Sequence, residues 1–538
     1  MSNERQPIFI LPENIQRMMG KDAQRNNIMA ARAVADTVKT TLGPKGMDKM
    51  LVSSIGDIII TNDGVTILEE MEIEHPAAKM LVEVAKTQED AIGDGTTTAV
   101  IFAGKLLENA EKLLDQKIHP TAITKGYKIA VDKSMDILES IATEISADND
   151  EMLKGIAMTA MTGKGAEMAK EKFADIIVKS VKQIMEEHDG KITIDLNNIK
   201  IEKQKGGGVE DTELIEGIVL DKEKVHSDMP SSVKNAKIAL VDVALEIETP
   251  ETETKININS PEQLQAFLDQ EEKTLKDMVE KIKSTKANVL FCQKGIDEVS
   301  QYYLTKAGIY AVRRIAKSDM EKLAKATGAK IVSNLKEISE KDLGKADFLE
   351  EVKKGEEGMT YVRGCKNPKA LTILIKGGTE HVIDEIERAI KDGLGDVATT
   401  LQTGKIVAGG GAIEVELARR LRQQDTIKGR EQLAIEQFAD AIESIPRILA
   451  ENAGMDPIDV ITELRSRHDK GEMNAGLNLF TGKIEDTMKK SIIEPLKIKV
   501  QAIKSASEVA MMLLRIDDVV AAGKSGAPSP QSMGMPEY

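Results

Sequence analysis

The run Gly93-Asp94-Gly95-Thr96-Thr97-Thr98 constrains this chain more than any other stretch. It ends one amphipathic segment and opens another, in which Val100, Ala103, Leu106, Leu107, Ala110 and Leu114 recur at helical spacing. Glycines at a helix N-terminus leave free backbone N–H groups and the positive end of the helix dipole available, an arrangement suited to a polyphosphate. The threonines add hydroxyl donors, and Asp94 is the carboxylate that such a site needs to hold Mg2+ beside the phosphates. The plain alternative is a glycine turn with Asp or Thr as N-cap.

Three further stretches offer related chemistry. Leu42-Gly43-Pro44-Lys45-Gly46 closes a helical pattern whose apolar stripe is Ile28, Ala31, Ala35, Val38 and Leu42. Gly43-Pro44 is an ordinary C-cap signal, yet it also puts small residues and a lysine where a ligand can approach. Ile58-Ile59-Ile60-Thr61-Asn62-Asp63-Gly64 is a β-branched strand running into a turn that presents Asp63. Ala408-Gly409-Gly410-Gly411-Ala412 is backbone almost bare of side chains, suited to close packing on a flat base or sugar. Taken singly, each of these reads equally as a turn.

The order of the segments implies nesting. Residues up to about 145 are mainly helical, with a hairpin-like stretch at Ser53–Asn62, and residues 404–522 are helical again. The long pattern 431–453 carries Pro446, which predicts a kink or break. If one nucleotide is gripped by both 42–98 and 409–411, the two ends fold together and everything between is an insertion. That middle alternates strand-like runs (Lys237–Leu245, Asn288–Cys292, Tyr310–Val312, Lys330–Val332, Leu371–Ile375) with helical ones, an α/β pattern. Glycine-rich joints border it at Gly206-Gly207-Gly208 and Gly377-Gly378. Within it, Ser260-Pro261-Glu262-Gln263 combines an N-cap, Pro at N1 and a capping-box Gln, after the polar stretch Glu246–Asn259. A helix from there to about Lys283 is roughly 36 Å long. Its apolar positions Leu264, Phe267, Leu268, Leu275, Met278, Val279 and Ile282 either pack on the domain's own sheet or face outward from a protrusion.

Composition narrows the classes. At 538 residues the chain exceeds one compact core, so two or three domains are expected. A net charge of −16 argues against a nucleic-acid-binding surface, and no apolar run reaches membrane-spanning length. Only Cys292 and Cys365 are present, too few for a disulfide framework or a zinc cluster. The start MSNERQPIFIL lacks a signal-peptide pattern, so a cytoplasmic location is expected. Gly523-Lys524-Ser525 superficially ends like a Walker loop, but Asp518 stands where its first glycine belongs. The tail 523–538 is rich in Gly, Ser and Pro and is expected to be disordered.

Together these motifs resemble the chaperonins. The match is carried by AQRNN at 23–27, LGPKGMDKML at 42–51, TNDGVTIL at 61–68, GDGTTT at 93–98, TGKGAE at 162–167 and AGGGA at 408–412, over about residues 7–522. The insertion from about Leu245 to Ala287 and the run CKNPKALTILIKGGTEHVIDEIERAI at 365–390 resemble the archaeal group II branch. The resemblance implies a multidomain α and α/β fold. It comprises a mainly helical equatorial ATP-binding domain (1–145 and 404–522), a small intermediate hinge domain (146–215 and 368–403) and an α/β apical domain (216–367) with a helical protrusion, or lid, at 246–286. It implies an ATPase that binds non-native polypeptide clients and self-associates into two stacked rings of eight subunits, with no separate lid co-chaperonin. ATP/ADP and Mg2+ are the implied cofactors, and K+ is a further candidate.

Residue by residue, the resemblance assigns Asp94 to the metal and Asp392 to the attacking water, with Asp63 as partner across the γ-phosphate. It assigns Leu42, Gly43, Pro44, Asn62, Gly64, Gly95, Thr96, Thr97, Thr98, Lys164, Gly409 and Gly410 to nucleotide binding, with Lys164 meeting the γ-phosphate. Asn478 and Glu494 take the base and ribose end. Without it, Asp392 is an acid near a helix end, mildly unfavourable against the dipole, and Lys164 is a solvated loop lysine. The chain departs from the family pattern at Lys391-Asp392-Gly393, where His-Asp-Ala is usual, at Ala408, where Pro is usual, and at Ser491, where Gly is usual. Gly393 is expected to loosen its helix by roughly 0.5–1 kcal/mol relative to Ala. The resemblance also implies that Ser53–Ile60 pairs with a neighbour's terminal strands around Pro7–Leu11 and Arg515–Val520.

Overall fold

The computed structural model describes residues 15–53, 56–247, 260–354, 357–366, 368–423 and 429–522. The expected terminal strand at Pro7–Leu11, the tail 523–538 and positions 248–259 of the lid segment lie outside them. The chain forms two compact units, Met1–Glu144 with Lys405–Tyr538, and Ile145–Gly404. The two ends do fold together, as the split motifs require.

The front of the first unit runs β1 (Ile15–Met19), α1 (Gly20–Lys39), β2 (Lys49–Val52), β3 (Ile58–Thr61), α2 (Gly64–Glu70), α3 (Pro76–Ile92), α4 (Thr96–Asp115), α5 (Pro120–Ile141) and β4 (Thr143–Glu144). α4 is the hub of the core. Ala99 to Gly104 are all buried, so no face of its first turns is left for water. A Cβ at Gly104 would overlap the Ala35 methyl, and that glycine sets the close approach of α1 to α4. α1 ends at Lys39 with Thr40 as C-cap, so Leu42 and Gly43 lie in a separate turn rather than at the expected helix end. The hairpin β2–β3 is wider than the expected 53–62, pairing Lys49 with Thr61. It leaves Met50, Val52, Ile58 and Ile60 exposed.

The second unit holds α6 (Asp150–Met161), α7 (Lys170–Ile184), β5 (Glu186–His188), β6 (Lys191–Thr193), β7 (Ile199–Lys205), β8 (Glu213–Ile215), β9 (Gly217–Leu220), β10 (Ser232–Val241), α8 (Pro261–Ser284), β11 (Val289–Cys292), α9 (Glu298–Lys306), β12 (Tyr310–Val312), α10 (Lys317–Thr327), β13 (Ile331–Val332), β14 (Gly344–Lys354), β15 (Glu357–Arg363), β16 (Leu371–Gly377) and α11 (Glu380–Thr403). One sheet runs β12-β11-β10-β14-β15-β9, with β13 also on β10. Its β10, β11 and β12 are parallel, with helices in the connections. A second sheet, β7-β16-β8, packs against α7 and α11, and α6 packs on those two helices. The two glycine-rich joints meet at its end, where Gly206 N–H donates to Gly377 O at 3.0 Å.

α8 divides between its two expected surroundings. Ser260 Oγ accepts from the Gln263 N–H and starts the helix. Val279 and Ile282 are buried with Ala239, Val241, Leu290 and Cys292, and Leu275, one turn earlier, is buried as well. Leu264, Phe267 and Leu268, one half-helix earlier, are 46%, 38% and 48% exposed. Only the N-terminal half of the helix leaves the core.

The chain re-enters the first unit through β17 (Lys405–Ala408), then α12 (Ala412–Arg422), α13 (Arg430–Ile442), α14 (Ser444–Asn452), α15 (Pro457–Asp469), β18 (Ala475–Asn478), β19 (Lys483–Asp486), β20 (Ile493–Pro495), α16 (Leu496–Leu514) and β21 (Asp518–Ala522). β17 pairs with β4 and β20, and β21 with β1, so both ends of the chain share ladders. Among the described residues no helix is long and apolar enough to cross a membrane. The break ahead of Pro446 falls at Glu443, whose side chain is 1% exposed. Arg422 grips its carboxylate through two bonds of 2.7 and 2.8 Å, and Arg465 through a second pair. Burial pushes the Glu443 carboxyl up, and the two guanidiniums more than offset that, holding it below the usual carboxylate range. Glu443→Gln should therefore destabilise the protein by about 3–5 kcal/mol at neutral pH, the scale of breaking a buried pair. A lowered folded-state value makes this contribution full above the ordinary carboxylate pKa and lost as pH falls below it. Thermal unfolding should thus show the wild-type advantage at pH 7 shrinking in acid. An equal gap at both pH values would contradict the ionic origin.

Candidate nucleotide site

Several of the sequence-predicted residues of the first unit are linked by short contacts. Thr61-Asn62-Asp63 leaves β3, and Asp63 caps α2, accepting from Thr66 N–H at 2.9 Å and Thr66 Oγ1 at 2.7 Å. Its other oxygen lies 3.4 Å from Thr96 Oγ1, at the start of α4. A Cβ at Gly64 would come 3.1 Å from the Thr97 backbone, so that glycine lets α2 dock on the start of α4. The α4 N-terminus carries no side-chain cap, because its N-cap is Gly95 in the left-handed region at φ +81°. The Asp or Thr cap of the plain alternative is therefore not made, and the first-turn N–H groups keep their anion-binding potential.

Gly95 is held from behind. A Cβ there would lie 2.6 Å from Ile498 Cγ2 and 3.0 Å from Gln88 Nε2, and Gln88 itself donates to Asp94 O at 2.8 Å. Asp94, half-buried, is close enough for its charge to act on Glu494. Glu494 Oε1 lies 3.0 Å from where a Cβ on Gly409 would stand, and Gly409 N–H donates to Ile492 O at 2.9 Å. Gly410, at φ +64°, passes so close to β18 that a Cβ would meet Leu477 O at 2.6 Å. The bareness of this triplet thus serves the chain's own packing as well as any ligand. Asn478 follows in β18, 7% exposed, with Oδ1 accepting from Phe480 N–H at 3.1 Å. His468 fixes the start of that strand, bridging Glu416 Oε2 at 2.9 Å and the Ala475 carbonyl at 2.8 Å. The Leu42-Gly43-Pro44 turn closes the series: Gly43 packs against Leu449 and Leu479, and Asn452 Nδ2 donates to Leu42 O at 2.9 Å.

Ser491, where glycine was expected, does take a glycine-like backbone at φ +56°. Gln88, Ile498, Lys499 and Glu414 belong to this neighbourhood and escaped the sequence reading. Glu414 and Lys499 carried a signal, since each is a charge inside an otherwise buried helical stripe.

In the second unit, Lys164 forms an ion pair with Asp392, their side chains 18% and 11% exposed. Lys164 is thus not a solvated loop lysine. Asp392 is not near a helix end either, because α11 continues to Thr403. The mild dipole penalty expected there does not apply. Gly393 is a packing residue rather than a weak point. A Cβ there would stand 2.7 Å from Ile177 Cδ1, so the glycine lets α11 lie close against α7. Asp392 is 8% exposed and Asp396, one turn on, 2%.

A model of the TCP-1/cpn60 chaperonin family matches residues 34–524, and the chain belongs to that family. A thermosome subunit of Methanopyrus kandleri is 60% identical over 523 residues, covering 97% of this chain and 96% of that protein. Thermosome subunit beta of Archaeoglobus fulgidus is 57% identical, covering 99% of each. A solved open-state monomer of a group II chaperonin from Methanococcoides burtonii superposes with a TM-score of 0.59 at 48% identity, covering 79% of this chain and all of that one. The protein is accordingly an ATP-dependent, ring-forming chaperonin with ATPase activity.

Gly95→Ala tests the turn. The left-handed backbone and the overlap with Ile498 and Gln88 should together cost about 1–3 kcal/mol of stability. Displacement of the α4 N–H groups should weaken ADP binding at least tenfold, read by titration calorimetry. Wild-type affinity in a folded variant would mean that the turn does not grip nucleotide.

Proposed function

We propose that this chain is one subunit of a cytoplasmic folding chamber of two stacked eight-membered rings, and that its first unit holds Mg2+·ATP between the Asp94–Thr98 turn and the Gly409–Gly410 backbone. The observation that carries this is that Asp63, Thr96 and Gly95 from one end of the chain and Glu494 and Gly409 from the other lie in one compact unit, linked by Ile498 behind Gly95 and the adjacent Lys499 paired to Glu494. The donor set suits such a ligand. Backbone N–H groups and threonine hydroxyls meet the phosphates, and among the described residues no three His, Cys, Asp or Glu side chains converge to hold a metal by themselves. A magnesium ion carried by one or two carboxylates and the phosphates fits that arrangement.

When bound, Mg2+·ATP supplies the γ-phosphoryl group and the charge that neutralises it. Asp94 would hold the metal, Asp63 would steady Thr96 and the phosphate side, and Asp392 would orient the attacking water and accept its proton. Lys164, paired with the Asp392 carboxylate, would meet the γ-phosphate in this reading. K+ is a further cation for the phosphate oxygens. Asn478 and Glu494 take the base and sugar.

The second unit divides further in this proposal, into an intermediate hinge (146–215 and 368–403) and an apical domain (216–367). The paired glycines Gly206 and Gly377 mark the joint between them. The exposed hairpin β2–β3 joins a neighbouring subunit's β1–β21 pair, which covers Met50, Val52, Ile58 and Ile60 and removes an aggregation-prone edge. Residues 246–286 serve as a built-in lid through the exposed half of α8, so no separate cap is required.

Asp392→Ala should leave nucleotide binding intact and cut steady-state hydrolysis by roughly 10²-fold or more, the scale of a positioned base. Near-wild-type turnover would remove Asp392 from the chemistry. For the lid, excision of the whole 246–286 span would also strip Leu275, Val279 and Ile282 from the core. Replacing residues 248–270 with a short Gly/Ser linker avoids that. The variant should assemble and hydrolyse ATP, yet fail to protect a bound client from protease after ATP addition. Full client protection would show that the span does not seal the chamber.

A further inference from the structure

One turn of α16 touches both halves of the candidate nucleotide site. Ile498 lies behind Gly95, and its carbonyl accepts from Gln88 Nε2 at 3.4 Å, the amide that also holds Asp94 O. The next residue, Lys499, turns to the other half. Its Nζ is 2.5 Å from Glu494 Oε2 and 2.8 Å from Glu414 Oε1. Glu494 belongs to β20, which flanks Gly409, and Glu414 is the third residue of α12, which begins directly after the glycine triplet.

The surroundings make this cluster costly. Lys499 is 8% and Glu414 5% exposed, and both line a small cavity behind Thr98 that is otherwise apolar, with Phe102, Ile413 and Ile503. Glu414 meets Lys499 by charge, without hydrogen-bond alignment. Two carboxylates share one ammonium, and Asp94 adds a third negative charge nearby. Burial and those acids push the Glu494 carboxyl up, while the same acids hold the Lys499 ammonium up against its own desolvation. Buried ion pairs of this kind contribute little net stability, so holding the fold does not by itself account for the cluster. The geometry of Glu494 suggests a further task. Oε2 is taken by Lys499, and Oε1 is left toward Gly409, an acceptor ready for a ligand hydroxyl.

We propose that Lys499 is a positioning residue for nucleotide: its ammonium fixes the Glu494 carboxylate toward Gly409, and its neighbour Ile498 keeps that acid in register with the Asp94-Gly95 turn. The ligand group it serves is a sugar hydroxyl of a ribonucleotide. This rests on the assignment of Glu494 to the sugar end of the site.

The test uses the assembled protein and three variants, Lys499→Met, Lys499→Met/Glu414→Gln and Glu494→Gln, with ADP, ATP and 2′- and 3′-deoxy-ATP as probes. Replacing Lys499 leaves the buried Glu414 and the partly exposed Glu494 uncompensated, so Lys499→Met is expected to melt earlier. The double variant restores the original net charge and should melt near wild type, which keeps the test valid if the single variant fails to fold. In that double variant the Kd for ADP and the KM for ATP should stay raised about tenfold, the scale of one charged hydrogen bond, with kcat changed less than threefold. Discrimination between ATP and the deoxy analogue that wild type disfavours should vanish. Wild-type ADP affinity in the double variant would overturn the proposal, since Lys499 would then only balance charge. Glu494→Gln separates the two levels. If it binds ADP and the deoxy analogues as wild type does, the assignment of Glu494 itself falls; if it binds weakly while the Lys499 variants do not, only the role of Lys499 falls.

Discussion

The buried helix α4 is the element on which the rest of this structure depends. Its turns from Ala99 to Gly104 face no solvent, because α1 and α3 from the front of the chain and α13 and α16 from the back pack around it. Neither end of the chain can bury α4 alone, so the candidate site at its N-terminus takes shape only after both ends have met. The 260 residues between them (145 to 404) leave and return through paired positions, since Glu144 lies opposite Lys405 in the β4–β17 ladder. Closing so long a loop costs only roughly 5 kcal/mol in chain entropy. A mainly apolar core of this size offsets that easily. The inserted unit can therefore carry sheets, an extended helix and glycine joints of its own without disturbing the core that it interrupts.

Charge follows the same division of labour. The chain carries a formal −16, and several of the buried charges among the described residues are held in ion pairs. Glu443 is held by two arginines at the α13–α14 break, Glu416 by His468, Arg419 and Arg420, and Lys499 by two acids. Burial pushes the Glu416 carboxyl up, but the hydrogen bonds from His468, Arg419 and Arg420 bring it well below the usual range. Glu443 and Glu416 brace α12, α14, α15 and β18, the frame on which Gly410 and Asn478 are mounted. The Lys499 cluster differs, because its surplus of negative charge sits beside the phosphate turn itself.

Much of this was legible in the sequence, for identifiable reasons. The nested organisation followed from glycine-rich motifs at both ends, and the family from their order. The start of α8 was set by Ser260 and Pro261, and the α13–α14 break by Pro446, since caps and prolines act through local backbone chemistry. What escaped was decided by contacts distant in sequence. The place of Asp392 mid-helix depends on α11 running past two buried glycines, which local propensity reads as a helix end. The two fates of α8 depend on where the sheet stops beneath it. Gln88, Ile498 and Lys499 support the site from behind, and only the misplaced charge of Lys499 in an apolar stripe marked any of them. The glycines of 409–411 were read as room for a ligand, and the structure adds a second reason, the backbone of Leu477 and Ile492 pressed against them.

The central claim is that residues from both ends of the chain grip one nucleotide. Hydrogen–deuterium exchange of the assembled protein, with and without Mg2+·ADP, tests it most directly. Amides at 94–98, 409–411 and 476–479 should gain protection together and over the same range of ADP concentration. Protection confined to one of these segments, or titrating at different concentrations in different segments, would contradict a single site built from the two ends.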